Sequence, residues 1–163
     1  MNYIETLTVL SKFTQKEIER KFLVDLQSLP QLSNGKTIEQ GYLNIVEAAE
    51  TRIRVTDGER ASIITKDNNK LTRSVSGEYI PLENGLKMLS SCASRIKKVR
   101  YRYKHRPTDT YTWELDRFAG PLSGFWMAEV ELTSEKQKIE YPKFITEEVT
   151  DDEEYRNSRL SLI

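Results

Sequence analysis

The sequence predicts a mainly β domain of the α+β kind, an antiparallel meander with a few helices. Three observations carry that reading. The chain has 163 residues, the size of one domain. Several segments alternate with period two, as strands do. Between them stand turn-forming clusters, among them Asp57-Gly58 and Asp67-Asn68-Asn69.

Taken in order, residues 17–24 open the pattern, with Glu17, Glu19 and Lys21 on one face. Residues 51–55 place Arg52 and Arg54 opposite Ile53 and Val55. Asp57-Gly58 has the chemistry of a two-residue hairpin turn and leads into a strand at 61–66. A further turn leads into 71–80. Residues 83–94 carry Leu86, Leu89 and Ala93 at helical spacing, which predicts a helix outside the sheet. Residues 98–104 alternate Lys98, Arg100, Arg102 and Lys104 with Val99, Tyr101 and Tyr103. After a Pro107 loop come strands at 111–118 and 125–132, the second pairing Glu129 and Glu131 with an apolar face. Residues 134–138 predict a turn or two of helix. Thr150 is the expected N-cap of a last helix over 151–162, with acidic residues at its positive end.

Composition narrows the function. Lys and Arg together number 25, as do Asp and Glu, so the net charge is +0 and no nucleic-acid coat is expected. A single cysteine, Cys92, excludes an internal disulfide and a multi-cysteine zinc site. A single histidine, His105, excludes mechanisms that need two. No apolar run approaches the roughly 20 residues of a membrane helix. The first residues lack the basic and apolar regions of a signal peptide. The expectation is a soluble cytoplasmic protein that binds neither nucleic acid nor membrane.

The charged faces are the informative feature. Acidic pairs occur at Glu17/Glu19 and Glu129/Glu131, basic pairs at Arg52/Arg54 and Lys98/Arg100. Like charges two apart on a strand repel, which does not favour stability. A metal between the carboxylates and a polyanion between the cations relieve the repulsion. Closing the meander into a barrel puts these faces inside. Oxygen donors without His or Cys select Mg²⁺ or Mn²⁺, and Arg and Lys bind phosphate oxygens. The combination is the equipment of phosphoryl transfer or hydrolysis.

The string Glu17-x-Glu19-x-Lys21, within E-I-E-R-K-F-L-V, resembles the signature of the CYTH superfamily, the triphosphate tunnel metalloenzymes. The remaining matches follow in order: Q-G-Y-L at 40–43, R-I-R at 52–54, Lys66, Arg73, K-V-R-Y at 98–101, W-E-L-D-R-F-A-G at 113–120, E-V-E at 129–131 and V-T-D-D-E-E-Y-R-N-S at 149–158. The resemblance covers residues 16–163, leaving 1–15 as an N-terminal extension. It is nearest to the short bacterial members that hydrolyse inorganic tripolyphosphate.

That resemblance implies a closed antiparallel eight-stranded β-barrel tunnel with a few outer helices, often a homodimer, using Mg²⁺ or Mn²⁺. It implies that Glu17, Glu19, Glu129 and Glu131 face the metal. It assigns Lys21, Arg52, Arg54, Arg73, Lys98 and Arg100 to the triphosphate cradle. Lys66 with Tyr42 takes the place of the pair that activates water. The sequence departs from the pattern after Arg73, where Val75 and Gly77 stand at positions often acidic. Glu78 has the opposite parity unless a bulge at Gly77 turns it inward. Glu153-Glu154 also precede Tyr155 where a basic residue is common. The same tunnel can serve a nucleoside or thiamine triphosphatase, an adenylate cyclase or a non-catalytic binding module, and fold alone does not decide among these.

Overall fold

The computed structural model describes residues 12–45 and 49–163. Nine strands form one sheet: β1 (Lys12–Val24), β2 (Lys36–Ile45), β3 (Ala49–Thr56), β4 (Arg60–Asp67), β5 (Thr72–Ile80), β6 (Arg95–Tyr103), β7 (Trp113–Phe118), β8 (Trp126–Leu132) and β9 (Ile145–Glu148). All pairings are antiparallel. Their order is β5-β4-β3-β2-β6-β7-β8-β1-β9, and a further β1–β5 pairing closes eight strands into a barrel. The long β1 makes that closure. One end pairs with β5 through Lys12–Ile18, and the other with β8 through Ile18–Leu23. β9 lies against the last residues of β1, beyond the end of β5.

Closure separates the two faces of every strand. Outside, Phe22, Trp113, Leu115, Ala128 and Val130 form one core with Phe144, which lies beyond β8 in sequence. A second outer core, Ile53, Val55, Ala61 and Leu89, lies under helix α1 (Leu82–Ser91). Inside, the wall divides. Tyr42, Ile96, Phe118, Met127 and Leu160 form an apolar plug, while charged side chains line the rest. Val75 and Glu78 keep regular register with Lys66 and Ile63, so no bulge at Gly77 turns Glu78 inward.

Several expectations are corrected. β2 is a strand that the charge pattern did not mark, since register turns Ile38, Gln40 and Tyr42 to the interior where other strands place charge. The Asp57 hairpin has a three-residue loop: Thr56 pairs with Arg60, and both Asp57 and Gly58 have positive φ. Residues 12–15 pair with β5 as the first part of β1, and residues 1–11 of the expected extension lie outside the described residues. No helix runs over 151–162. Instead a short 3₁₀ turn (Glu153–Tyr155) precedes a single-turn helix α2 (Asn157–Leu160). Arg156, in extended conformation, separates them. That break lets Arg156 line the cavity while Leu160 enters the plug. Thr150 caps no helix; its hydroxyl donates to Glu148 and accepts from the Lys21 amide. Residues 134–138 make a turn, closed by Gln137 N–H donating to the Ser134 carbonyl.

Gly85 shows how α1 is seated. A Cβ there would stand 2.3 Å from the Ala61 Cβ on β4. Gly85→Ala gains about 1 kcal/mol of helix propensity but overpacks this contact, which typically costs 1–3 kcal/mol. The clash is expected to win, and thermal melting should show a lower Tm. An unchanged or raised Tm would mean that α1 is not held this close to the sheet.

Candidate active site

A cavity of about 430 Å³ occupies the charged part of the barrel interior. Among the described residues, eight basic and six acidic side chains line it. All the predicted cradle residues, Lys21, Arg52, Arg54, Arg73, Lys98 and Arg100, are on its wall, as are Glu17, Glu19, Glu129, Glu131 and Lys66. Strand register explains the convergence, because Cα partners in an antiparallel pair point to the same side. Glu17 faces Arg73 across β1–β5, while Glu19 faces Glu131 and Lys21 faces Glu129 across β1–β8.

Part of this wall is locked in ion pairs. Lys98, 1% exposed, donates to Asp116 at 2.7 Å and to Asn157 at 2.9 Å. Arg100 forks onto both Asp116 oxygens at 2.7 and 2.8 Å, and also reaches Glu129 at 3.0 Å and Glu114 at 3.1 Å. Burial disfavours the Lys98 ammonium and Arg100 repels it, so its pKa is lowered to about 8 despite Asp116. Burial alone would raise the pKa of Glu129, but Arg100, Lys21 and Lys98 outweigh it and hold the group well below the usual carboxylate range.

The rest is less balanced. Among the described residues, Lys21 and Arg54 have no carboxylate within ion-pair distance. Arg54 donates to the buried Gln40 amide oxygen at 2.7 Å. Burial, with Arg52 and Arg100 nearby, pulls its pKa down to about 9, so it stays charged at neutral pH. Glu19 and Glu131 stand opposite each other, with no ion pair to either among the described residues. Burial and the Glu129 charge raise the pKa of Glu19, against the pull of Lys66 and Lys21. Burial and the nearby Glu17 and Glu19 raise that of Glu131.

Lys66 and Tyr42 are placed differently. The Lys66 ammonium donates to Glu17 at 2.6 Å. Burial and the Arg52 and Arg73 charges lower its pKa, against Glu19 and Glu17. Burial tends to raise the pKa of Glu17, but Lys66 and Arg52 bring it below the ordinary value. Tyr42 does not line the cavity. It sits in the plug, where its hydroxyl accepts from the Gln40 side chain at 3.2 Å. Burial pushes its pKa up to about 12, so the hydroxyl stays protonated at neutral pH. No hydrogen bond joins Tyr42 to Lys66.

The sequence reading missed Asp116, Glu50, Glu114, Asn157 and Arg156. For the first three a signal existed. Glu114 and Asp116 share the face of β7 that pairs with Arg100 and Arg102, and Glu50 shares the face of Arg52 and Arg54. Arg156 supplies a cation at the C-terminal end of the chain, where the Glu153-Glu154 pair predicted less positive charge.

The donors suit a hard divalent cation in one particular way. Among the described residues, no group of three His, Cys, Asp or Glu side chains is gathered as a cage. Glu19 and Glu131 offer two opposed carboxylates free of cationic partners. Mg²⁺-type ions commonly take one or two carboxylates, keep several waters and complete their shell with substrate phosphate oxygens. The residues present therefore fit such an ion as a guest shared with a phosphate ligand.

Comparison with known proteins agrees with this geometry. The CYTH domain profile matches residues 15–163. An inorganic triphosphatase from Acetivibrio thermocellus is 31% identical over 147 residues, covering 89% of this chain and 92% of that protein. One from Nitrosomonas europaea is 33% identical over 155 residues, covering 90% and 97%. A crystal structure of an inorganic triphosphatase, 32% identical, superposes with a TM-score of 0.66 over 90% of this chain and 95% of its own. A Hippeastrum protein described as a putative adenylyl cyclase with dominant triphosphatase activity, at 15% identity and a TM-score of 0.55, shares the fold. With an eight-stranded closed barrel, a two-signed interior and a family match over nearly its whole length, the chain belongs to the CYTH domain family.

Proposed function

We propose that the protein hydrolyses inorganic tripolyphosphate inside the barrel with the help of Mg²⁺ or Mn²⁺. The observation that carries this reading is the two-signed wall. Lys21 and Arg54, cations without carboxylate partners, share one cavity with the opposed pair Glu19 and Glu131. The first set suits the phosphate oxygens and the second suits the cation that travels with them. The named activity of the two relatives, at 31% and 33% identity over most of the chain, supports the same substrate. CYTH triphosphate tunnel enzymes depend on a metal. A bound divalent ion supplies charge neutralisation and polarises the phosphoryl oxygens.

The side chains then divide the work. Arg52, Arg54 and Arg73 grip phosphoryl oxygens through charge-assisted hydrogen bonds. Arg100 and Lys98, held by Asp116, present fixed positive charge to the growing negative charge of the transition state. Lys66, beside Glu17 and between Arg52 and Arg73, is the proposed catalytic residue. Tyr42 acts through the plug, holding Gln40 and hence Arg54 in place. The plug and the buried walls limit water around the reacting phosphate. A cytoplasmic homodimer is part of this reading, checked by sedimentation and cell fractionation.

Phosphate release from tripolyphosphate, measured beside ATP and thiamine triphosphate, tests the assignment. Tripolyphosphate should be the preferred substrate. Tight binding without phosphate release from any of the three would establish a binding module instead. Arg54→Ala should lower kcat/KM by about 30- to 150-fold, the equivalent of about 2–3 kcal/mol for the loss of a charge-assisted bond. An unchanged kcat/KM would place Arg54 outside the substrate's path. Lys66→Ala should cut kcat more than it raises KM; if kcat stays at the wild-type value, Lys66 is only a phosphate ligand.

A further inference from the structure

One charged group on the cavity wall opposes the proposed chemistry. Glu50, on β3, is 4% exposed and shares its face with Arg52 and Arg54. Its Oε1 lies 4.0 Å from Arg52 Nη1 and 3.8 Å from Arg73 Nη2. Both distances are ion-pair distances beyond hydrogen-bond reach. Among the described residues, its Oε2, the Arg52 Nε and the Arg73 Nη2 are all buried without a hydrogen-bond partner. Lys66 stands opposite Glu50 in the β3–β4 register, yet its ammonium bonds Glu17 instead.

This arrangement differs from that of Asp116, the buried carboxylate behind the cavity wall. Asp116 fixes Arg100 through two bonds of 2.7 and 2.8 Å, the geometry of a positioning group. Glu50 fixes nothing so closely. The Arg52 Nε and the Arg73 Nη2 keep N–H groups available, and the two ion pairs stay 4.0 and 3.8 Å long. A phosphate oxygen that bonds Arg52 and Arg73 at about 2.8 Å must come to rest beside the Glu50 carboxylate. Two anions at such a separation repel strongly in a poorly hydrated site.

We propose that Glu50 is a resident anion that competes with phosphate oxygens for Arg52 and Arg73. It weakens capture of metal-free triphosphate and of product phosphates, and it thereby favours the substrate in its metal-complexed, less negative form. This rests on the triphosphate reading of the cavity. The consequence is specificity for the charge state of the ligand and faster product release, set by a residue that need not touch the reacting atoms. A positioning role would predict the opposite sign, because loss of a positioning carboxylate loosens the arginines and weakens binding.

Titration calorimetry of chelator-treated protein with tripolyphosphate decides between them. Glu50→Gln keeps the shape and removes the charge. It should bind metal-free tripolyphosphate about tenfold more tightly than wild type, from the Coulomb term removed. Glu50→Asp, which keeps the charge, should stay near the wild-type affinity. Under turnover with Mg²⁺, Glu50→Gln should be inhibited at lower orthophosphate and pyrophosphate concentrations than wild type. Equal or weaker binding by Glu50→Gln, with wild-type binding intact, overturns the inference alone. Absence of tripolyphosphate binding by both proteins, with and without Mg²⁺, overturns the triphosphate reading beneath it.

Discussion

Chelation should reduce tripolyphosphate hydrolysis by about a thousandfold or more, and added Mg²⁺ or Mn²⁺ should restore it. The size follows from the several kcal/mol of charge stabilisation that a bound divalent ion supplies to a transferring phosphoryl group. The site follows from the wall. Glu17 and Glu129 are already occupied by Lys66 and Arg100, at 2.6 and 3.0 Å. Glu19 and Glu131 are the opposed pair without such partners. Glu19→Ala should therefore lose activity as completely as chelation does. Its metal-free Tm should hold or rise, since one of two like charges facing each other across a strand pair is gone. Titration with Mn²⁺ should show weaker metal binding by the variant, a readout independent of turnover. Full turnover by the wild type in metal-free buffer would remove the metal from the mechanism, and a collapsed Tm in Glu19→Ala would make Glu19 a structural residue.

The largest effects of substitution are expected at Glu19 and at Asp116, residues with opposite histories in the sequence. Glu19 was legible at once, because a like-signed pair on a strand face signals a ligand more than a fold. The same reasoning found Arg52, Arg54, Lys98, Arg100, Glu129 and Glu131, all of which line the cavity. Period two also gave the strands that carry them, since one face is charged and the other feeds an apolar outer core. It failed on β2, whose inward residues Ile38, Gln40 and Tyr42 are not charged. There the barrel interior is plug rather than cavity, and alternation of charge carries no information. It failed again at the C-terminus, where an acidic run with a capping residue reads as a helix. Lys98 bonds Asn157, Arg156 donates to the Asn68 carbonyl and Leu160 fills the plug. Those long-range contacts override the local preference. Tyr42 was legible as a position and not as an environment: the family resemblance paired it with Lys66, and only packing shows its hydroxyl buried beside Gln40.

Asp116 is the residue that strand parity could have found and pairing makes essential. It is fully buried, and its two oxygens take one bond from Lys98 and two from Arg100. Burial by itself raises its pKa, but Arg100 and Lys98 outweigh that and hold it below its ordinary 3.8. Asp116→Ala leaves two buried cations without their main counter-ion. Loss of one member of a buried pair typically costs about 3–5 kcal/mol, which in a domain of this size lowers Tm by roughly 10 °C. The same substitution frees Arg100 from its fork, so KM for tripolyphosphate should rise as well. The sign of the pH dependence follows from the depressed pKa. The unfolded chain takes up a proton near pH 3.8 while the folded chain resists, so the stabilisation is present above that pH and is lost as pH falls through the folded value. Asp116→Asn, which keeps hydrogen-bonding capacity without the charge, should be less stable than wild type at pH 7. Its deficit should shrink on acidification below about pH 4. Denaturant melts across that range measure the effect. A Tm within about 2 °C of wild type for Asp116→Ala, the shift that less than about 1 kcal/mol produces, would show that Glu114 and Glu129 suffice to hold Arg100, and that Asp116 is a spectator of the cradle rather than its anchor.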